Sequence, residues 1–447
     1  LPPPQVRRVA HHTRVGCEVQ AVSATVLRAD ARCLPLADAS VDLIVTSPPY
    51  WALRSYTDGG EHYDGQIGAE PTPAAFIDNL IACTREWMRV LKPSGSLWVN
   101  LGDKYSTYES PNRTRFGGEI GERQDAASQR GTRYTRSAPA AYGVPCKSLF
   151  GLPWRYAIRC IDDLGLILRA EVIWSKPNGL PESVTDRVRR SHETWFHLTK
   201  EPRYFAAVDT IREPTSAIDR WPTRVSGGES ARRVSDENYR HGAPRVPALQ
   251  NHALGKLPGS VWTVATQPLT VPAELGVDHF AAFPMEWPRR IIQGWSPAGI
   301  CTACGEGRRP DLDVSRPRGQ TPRQAQLAAA QSTRASRTDI SGGTASTTLG
   351  LASAHVERRI VGEACACPEP TAPTRPAVVL DPFGGTGTTA LVAHALGRHG
   401  VSVDMSADYC RLARWRNTDP GQLAAALEVP KPPAERDGQL DLFGAAS

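Results

Sequence analysis

The sequence predicts an α/β protein built on a doubly wound, mostly parallel sheet, and three observations carry that prediction. A β-branched run, Val41-Asp42-Leu43-Ile44-Val45-Thr46, is halted by Ser47-Pro48-Pro49-Tyr50. A second apolar run, Ala377 to Asp381, passes through a glycine-rich turn into a helical stretch, Thr388 to Leu396. A third run, Val401 to Asp404, follows directly. Strand, helix and strand in that order make a βαβ unit, which belongs in a parallel sheet covered by helices on both faces. The 447 residues suffice for one large α/β domain with insertions, or for two domains.

The elements between these runs follow from local chemistry. Thr72-Pro73 opens a helix, with Thr72 as cap and Pro73 in the first turn. Ile77, Leu80, Ile81, Thr84, Met88 and Leu91 give that helix one apolar stripe, and Pro93-Ser94-Gly95 is expected to stop it. Ser96 to Leu101 reads as the next strand, Trp154 to Leu164 as a helix, and Leu166 to Trp174 and His192 to Thr199 as strands. Gly397 fits the end of the helix that starts at Thr388. Residues 104–146 and 212–258 are basic and lack periodicity, and 305–363 is a low-complexity stretch rich in Ala, Ser, Thr, Gly and Arg. No internal repeat is present.

Composition narrows the class. With 40% hydrophobic and 22% charged residues the chain suits a soluble globular protein, and no apolar run is long enough to span a bilayer. No signal peptide opens the sequence, so a reducing cytoplasm is expected. The first residue is Leu1, so the start is expected to be trimmed or read from an alternative start codon. A net charge of +6 permits a polyanionic partner without demanding one.

Two motifs carry chemistry. Asp381-Pro382-Phe383-Gly384-Gly385-Thr386-Gly387-Thr388-Thr389 sits between a strand and a helix, where glycines let the backbone approach a ligand and the helix N-terminus offers free N–H groups. It is not a phosphate-binding P-loop, since no Gly-Lys-Ser/Thr follows. Asp404 ends the next strand, where a carboxylate can hold ribose hydroxyls. In Thr46-Ser47-Pro48-Pro49-Tyr50-Trp51, adjacent prolines fix the backbone at a strand end. The Pro48 carbonyl and Ser47 then form a pair of acceptors that can hold both protons of an amino group. Tyr50 offers a flat face for a base extruded from a duplex.

Together these motifs resemble the DNA amino-methyltransferase family, the cytosine-N4 and adenine-N6 enzymes, with S-adenosylmethionine as cofactor. The catalytic motif precedes the cofactor motif, an order similar to the circularly permuted beta group, whose fold is Rossmann-like. Ile173-Trp174-Ser175-Lys176-Pro177-Asn178, Pro181-Glu182-Ser183-Val184, Asp186-Arg187 and Ser191-His192-Glu193 resemble the long central signature of that family. Asn100-Leu101-Gly102-Asp103 resembles its following strand end. Ser260-Val261-Trp262 and His279-Phe280-Ala281-Ala282-Phe283-Pro284 resemble the segment that lines the methionine side of the pocket.

The resemblance implies catalytic roles for Ser47, Pro48, Pro49 and Tyr50, and cofactor contacts for Asp30, Phe283, Pro284, Asp381, Phe383, Gly385, Gly387, Thr388 and Asp404. It implies a base flipped from the duplex, its amine oriented by Ser47 and the Pro48 carbonyl, and direct attack on the sulfonium methyl without a covalent enzyme intermediate. Serine at position 47, where many members carry aspartate, favours cytosine N4; adenine N6 in the same pocket is the alternative. Asp404 stands where some relatives have glutamate. Pro145-Cys146 resembles the nucleophile dipeptide of carbon-5 cytosine enzymes but lies in a polar stretch and is read as incidental. Methylation of protein glutamine or RNA is disfavoured by the motif order, and a catalytically dead DNA-binding module by the intact motifs. A bacterial or phage enzyme of restriction–modification type, acting on double-stranded DNA, is the expectation.

The domain organisation expected is a catalytic domain over 20–300 and 364–416, with 104–146 and 212–258 as candidate target-recognition insertions. Residues 301–367 form a Cys-flanked insertion, and 417–447 a disordered tail. Of the 10 cysteines, Cys17, Cys33, Cys83, Cys160 and Cys410 stand alone. Cys301-Thr302-Ala303-Cys304-Gly305 has the spacing of half a zinc site, and Cys365-Ala366-Cys367 could supply the other half. In the tail, Gln439, Leu440, Leu442 and Phe443 resemble the short peptide by which bacterial proteins bind the sliding clamp.

Overall fold

The computed structural model describes residues 24–53, 56–59, 61–62, 65–106, 142–179, 181–214, 254–277, 282–315, 357–367, 369 and 372–431. The first half contains β1 (Ala24–Arg28), β2 (Val41–Thr46), a ribbon of β3 (Thr57–Asp58) and β4 (Glu61–His62), α1 (Pro73–Val90), β5 (Leu91–Leu101), α2 (Leu152–Asp162), β6 (Ile167–Ser175) and β7 (His192–Thr199). There follow β8 (Val261–Thr263), α3 (Glu286–Trp295), β9 (Ile300–Cys301), β10 (Arg309–Ser315), β11 (Glu357–Ala364) and β12 (Thr374–Arg375). The chain then runs through β13 (Val378–Asp381), α4 (Thr388–Ala395), β14 (His399–Asp404), α5 (Ala407–Thr418) and α6 (Pro420–Leu427).

Eight strands form one sheet in the order β1-β14-β13-β2-β5-β7-β6-β8. From β1 to β5 every neighbouring pair is parallel. Strand β7 runs antiparallel between β5 and β6, and β8 is parallel to β6. All six residues of β2 are buried because the sheet is covered on both sides, which is why its sequence is a nearly continuous apolar run. Within β2, Ile44 packs into one core while Leu43 and Val45 pack into the other, as alternation along a strand requires. Helices α1 and α2 cover the first face through Phe76, Leu80, Trp87, Leu152 and Tyr156. Helices α3, α4 and α6 cover the second through Trp287, Ile291, Leu391, Val392 and Ala426. That second core holds a stack of tryptophans, with Trp287 5.0 Å from both Trp195 and Trp262.

The connections place the site. From β2 the chain crosses through α1 on one face to β5; from β13 it crosses through α4 on the other face to β14. The strand order therefore reverses between β13 and β2, and a crevice opens outside the carboxyl ends of these two strands. Both predicted motifs begin there, and Thr389 beyond β13 donates a hydrogen bond to the Val45 carbonyl of β2 at 3.3 Å.

Several elements differ in detail from the sequence expectation. Thr72 does cap α1, its hydroxyl accepting the Ala75 N–H at 3.1 Å. However, α1 ends at Val90, and Pro93-Ser94-Gly95 lies inside β5, where the pairing with β2 shifts register. Proline and glycine are accommodated there as an irregularity of the strand. Helix α2 starts two residues early, at Leu152, because Asp103 caps it from a distance by accepting the Gly151 and Leu152 N–H groups at 3.0 and 3.1 Å.

The expected tail over 417–447 begins with ordered structure. Asp419 accepts the Gln422 N–H at 2.8 Å and starts α6, whose Ala426 is buried. Arg289 of α3 donates to the Ala426 carbonyl at 2.6 Å and ties that helix end down. The ends of the low-complexity stretch pair as the antiparallel ribbon β10–β11. The sliding-clamp peptide and most of the two candidate target-recognition insertions lie outside the described residues. No helix among the described residues is long and apolar enough to cross a membrane.

Candidate active site

The crevice at the strand-order reversal is a groove lined by Ser47, Pro49, Phe383, Gly385, Asp404 and Met405. Ala29 and Ala31 form part of its wall, with Tyr56 and Tyr409 beside them. Of the residues predicted from sequence, Ser47, Pro49, Phe383, Gly385 and Asp404 meet in this one groove.

Asp404, at the end of β14, has its carboxylate oriented by two backbone amides. Its Oδ2 accepts the Gly385 N–H at 3.0 Å and its Oδ1 the Ser406 N–H at 2.9 Å. Each oxygen keeps a further acceptor position. Burial raises its acid group to about 6 despite these two hydrogen bonds.

Asp30, Phe283, Pro284, Asp381, Gly387 and Thr388 are not among the residues that line the groove. Asp381 is buried and braces the glycine-rich turn, accepting the Phe383 N–H at 3.1 Å and the Thr389 hydroxyl at 2.8 Å. Burial pushes it to about 6 as well. The Thr388 hydroxyl accepts from Arg416 of α5 at 2.6 Å, and the same guanidinium reaches Thr386 at 2.7 Å. Gly387 adopts φ +73° at the start of α4, and a Cβ there would lie 2.7 Å from Asn417 Nδ2 and 3.0 Å from the Ala413 Cβ. It is a packing position between α4 and α5. Asp30 is held by the Arg32 guanidinium, at 2.6 Å from Nη2, while its neighbours Ala29 and Ala31 line the groove. Phe283 packs edge-on against Trp195 at 5.9 Å, and Pro284 is buried at the start of the α3 turn, its carbonyl accepting from Trp287 at 3.2 Å.

Behind the Ser-Pro-Pro-Tyr turn lies a polar network. Asn100, near the end of β5, is buried, and its Nδ2 donates to the Thr194 carbonyl at 3.2 Å. That bond fixes which way the amide points. Its Oδ1 then accepts from the Ser47 hydroxyl at 3.2 Å and from the Tyr50 hydroxyl at 2.6 Å. The Tyr50 hydroxyl also lies 2.7 Å from Glu193 Oε2, and Lys176 pairs with the other Glu193 oxygen. Lys176 Nζ sits 4.1 Å from the centre of the Trp174 ring. Burial, and then the Glu193 charge, push the Tyr50 phenol well above its ordinary value, so it remains a donor. The Tyr50 ring rests on Gly102, where a Cβ would stand 2.5 Å from the ring edge. Asn100, Lys176 and Glu193 belong to segments that sequence alone singles out by resemblance, but no role for them was legible there. Their only signal was a polar side chain inside an apolar strand, or at its end.

These features agree with the comparisons. A family model for DNA methylases matches residues 41–301 and 371–414. The chain belongs to the DNA methylase family. Among its relatives, the type II methyltransferase M.SmaI of Serratia marcescens is 28% identical over 375 residues, which is 84% of this chain and 83% of that protein. The type II methyltransferase M.Cfr9I of Citrobacter freundii is 34% identical over 277 residues, 60% of this chain and 71% of its own length. The solved PvuII DNA methyltransferase, described as cytosine-N4-specific, is 15% identical with a TM-score of 0.46, over 91% of this chain and 92% of that one. The methylase is thus an enzyme of the N4/N6 amino-methylating type that acts on DNA, with S-adenosylmethionine as methyl donor. The groove fits this donor. Asp404 has acceptor positions for ribose hydroxyls, and Phe383, Ala29 and Ala31 give apolar wall suited to a purine ring.

One further feature of the methylase lies away from the groove. Cys301 and Cys304 meet Cys365 and Cys367, with all four sulfur atoms within 4.8 Å of one another. Cys146 is half-buried.

Proposed function

We propose that this methylase transfers the methyl group of S-adenosylmethionine to the N4 amine of cytosine, at a specific sequence in duplex DNA. The observation that carries the reading is the Ser47 hydroxyl, whose proton is directed at Asn100 Oδ1 and whose lone pairs are left for an incoming donor. The Pro48 carbonyl has no donor among the described residues and supplies a second acceptor beside it. An exocyclic amine has two protons to offer this pair. Binding both draws the nitrogen lone pair out of conjugation with the ring, the electronic change that makes the amine a nucleophile. Serine at position 47 is the feature that favours cytosine over adenine.

Each remaining residue then takes a stated part. Tyr50, anchored by its hydroxyl and seated on Gly102, presents its ring to the base drawn out of the duplex. Pro49 holds the turn rigid between these two groups. Lys176 and Glu193 keep Tyr50 in place from behind. Asp404 binds the cofactor ribose, with Gly385 bonded to it and Phe383 lining the same groove. The bound cofactor supplies an electrophilic sulfonium methyl.

The test is to incubate the protein with S-adenosylmethionine and unmethylated mixed-sequence DNA, digest to nucleosides and identify the product by mass. N4-methylcytosine is the expected product. N6-methyladenine would overturn the base assignment.

A further inference from the structure

We infer that Cys301, Cys304, Cys365 and Cys367 form a structural metal site for a single zinc ion, which ties the β10–β11 ribbon to the body of the enzyme. The first observation is convergence. The two pairs are separated by the whole 305–363 stretch, yet all four sulfurs lie within 4.8 Å of one another. The Cys304 and Cys365 sulfurs are 3.8 Å apart. A tetrahedral ion with metal–sulfur bonds of about 2.3 Å holds its thiolates about 3.8 Å apart. A polynuclear iron–sulfur cluster sets its thiolates further out, since several iron atoms stand between them.

Local backbone geometry gives the second observation. The 301–305 turn is closed by the Gly305 N–H on the Cys301 carbonyl at 2.9 Å, and Gly305 adopts φ +76°. Strand pairing fixes this half of the site from outside, because Cys301 lies opposite Thr374 in β9–β12 and Thr302 N–H bonds to the Pro373 carbonyl at 2.9 Å.

The third observation is a need for the anchor. The described side chains of β10 and β11 are exposed or half-buried, and none contributes to either hydrophobic core. The contacts of the ribbon base with the body include Arg309 to the Ala206 carbonyl at 3.1 Å and, just before β10, Arg308 to the Ala372 carbonyl at 2.6 Å. A ribbon without a buried face is marginal in water unless it is stapled. The cysteines sit at the base of both strands, where one ion closes the whole excursion between α3 and β13.

The experiment uses the full chain, purified reduced and without chelator. Elemental analysis is expected to find about one zinc per chain. Exchange into cobalt(II) is expected to give the visible bands of a tetrahedral site and the near-ultraviolet charge-transfer band of four thiolates. Alkylation gives an internal control, since exposed Cys33 reacts at once while the four ligands react only after a chelator is added. The C365S/C367S double variant is expected to lose the metal while still binding S-adenosylmethionine, which shows that it folds. Absence of stoichiometric metal together with absence of a tetrathiolate cobalt spectrum overturns the inference. So does metal retained at full stoichiometry in the double variant.

Discussion

If Asn100 acts by aiming the Ser47 hydroxyl, its removal must matter only while Ser47 is present. Replacing Asn100 with Ala removes the acceptor for Ser47 at 3.2 Å and for Tyr50 at 2.6 Å, together with the bond to the Thr194 carbonyl. Tyr50 still has Glu193 at 2.7 Å, so Ser47 loses most. A hydroxyl free to rotate presents its proton to the substrate amine part of the time, and one acceptor bond is lost. A net hydrogen bond is about 1–2 kcal/mol, which corresponds to roughly a 5–30-fold fall in kcat. Ser47→Ala removes the same bond and is expected to fall in the same range. In the double variant the two losses should not multiply, and kcat should match that of Ser47→Ala within about twofold. Single-turnover transfer of radiolabelled methyl to DNA measures the rates, and calorimetry measures cofactor affinity, which should stay unchanged because Asn100 does not line the groove. Multiplicative losses would falsify the positioning role.

Three further predictions concern the groove and its support. Asp404 and Asp381 are raised to about 6 by burial, above the range near 4 of an unfolded carboxyl. The folded protein therefore keeps these protons to higher pH than the unfolded chain, and their contribution to stability is present below pH 4 and lost as pH rises through about 6. Asp404→Asn removes that dependence at one site. Its stability relative to wild type, from urea unfolding without cofactor, should improve by up to ~3 kcal/mol between pH 4 and pH 7. If the Asp404 carboxylate holds the ribose, wild-type affinity for S-adenosylmethionine should weaken as pH drops below about 6, and a flat profile would count against that role. Gly102→Ala places a methyl 2.5 Å from the Tyr50 ring. It should lower kcat by at least tenfold, through about 1.4 kcal/mol or more of displaced geometry, with cofactor affinity intact. Wild-type turnover would show that the ring is not held there.

How much of this was legible in the sequence depended on whether the cause was local. Proline pairs and glycine turns make backbone demands that few other residues meet, so Ser47-Pro48-Pro49-Tyr50 and the turn from Asp381 to Thr389 stood out, as did the βαβ unit after Ala377. The nearly continuous apolar run of β2 marked a strand, and the structure buries it on both faces. Helix α6 was written as Asp419-Pro420, an N-cap and first turn, but its alanine-rich body reads as a tail until α3 and α4 are there to bury it.

What only the tertiary structure decided were the partners across distance. Sequence named Thr388 by motif, yet the direction of its side chain was set by Arg416 on α5. Asn100 and Glu193 acquired their places only when β5 and β7 paired and brought them both to Tyr50. The cysteine pairs became a cluster only when β10 and β11 closed. A motif constrains the backbone it occupies, and that constraint is written in its own residues. A hydrogen-bond network or a metal site is a meeting of side chains from separate segments, and its geometry exists only once the sheet has placed those segments side by side.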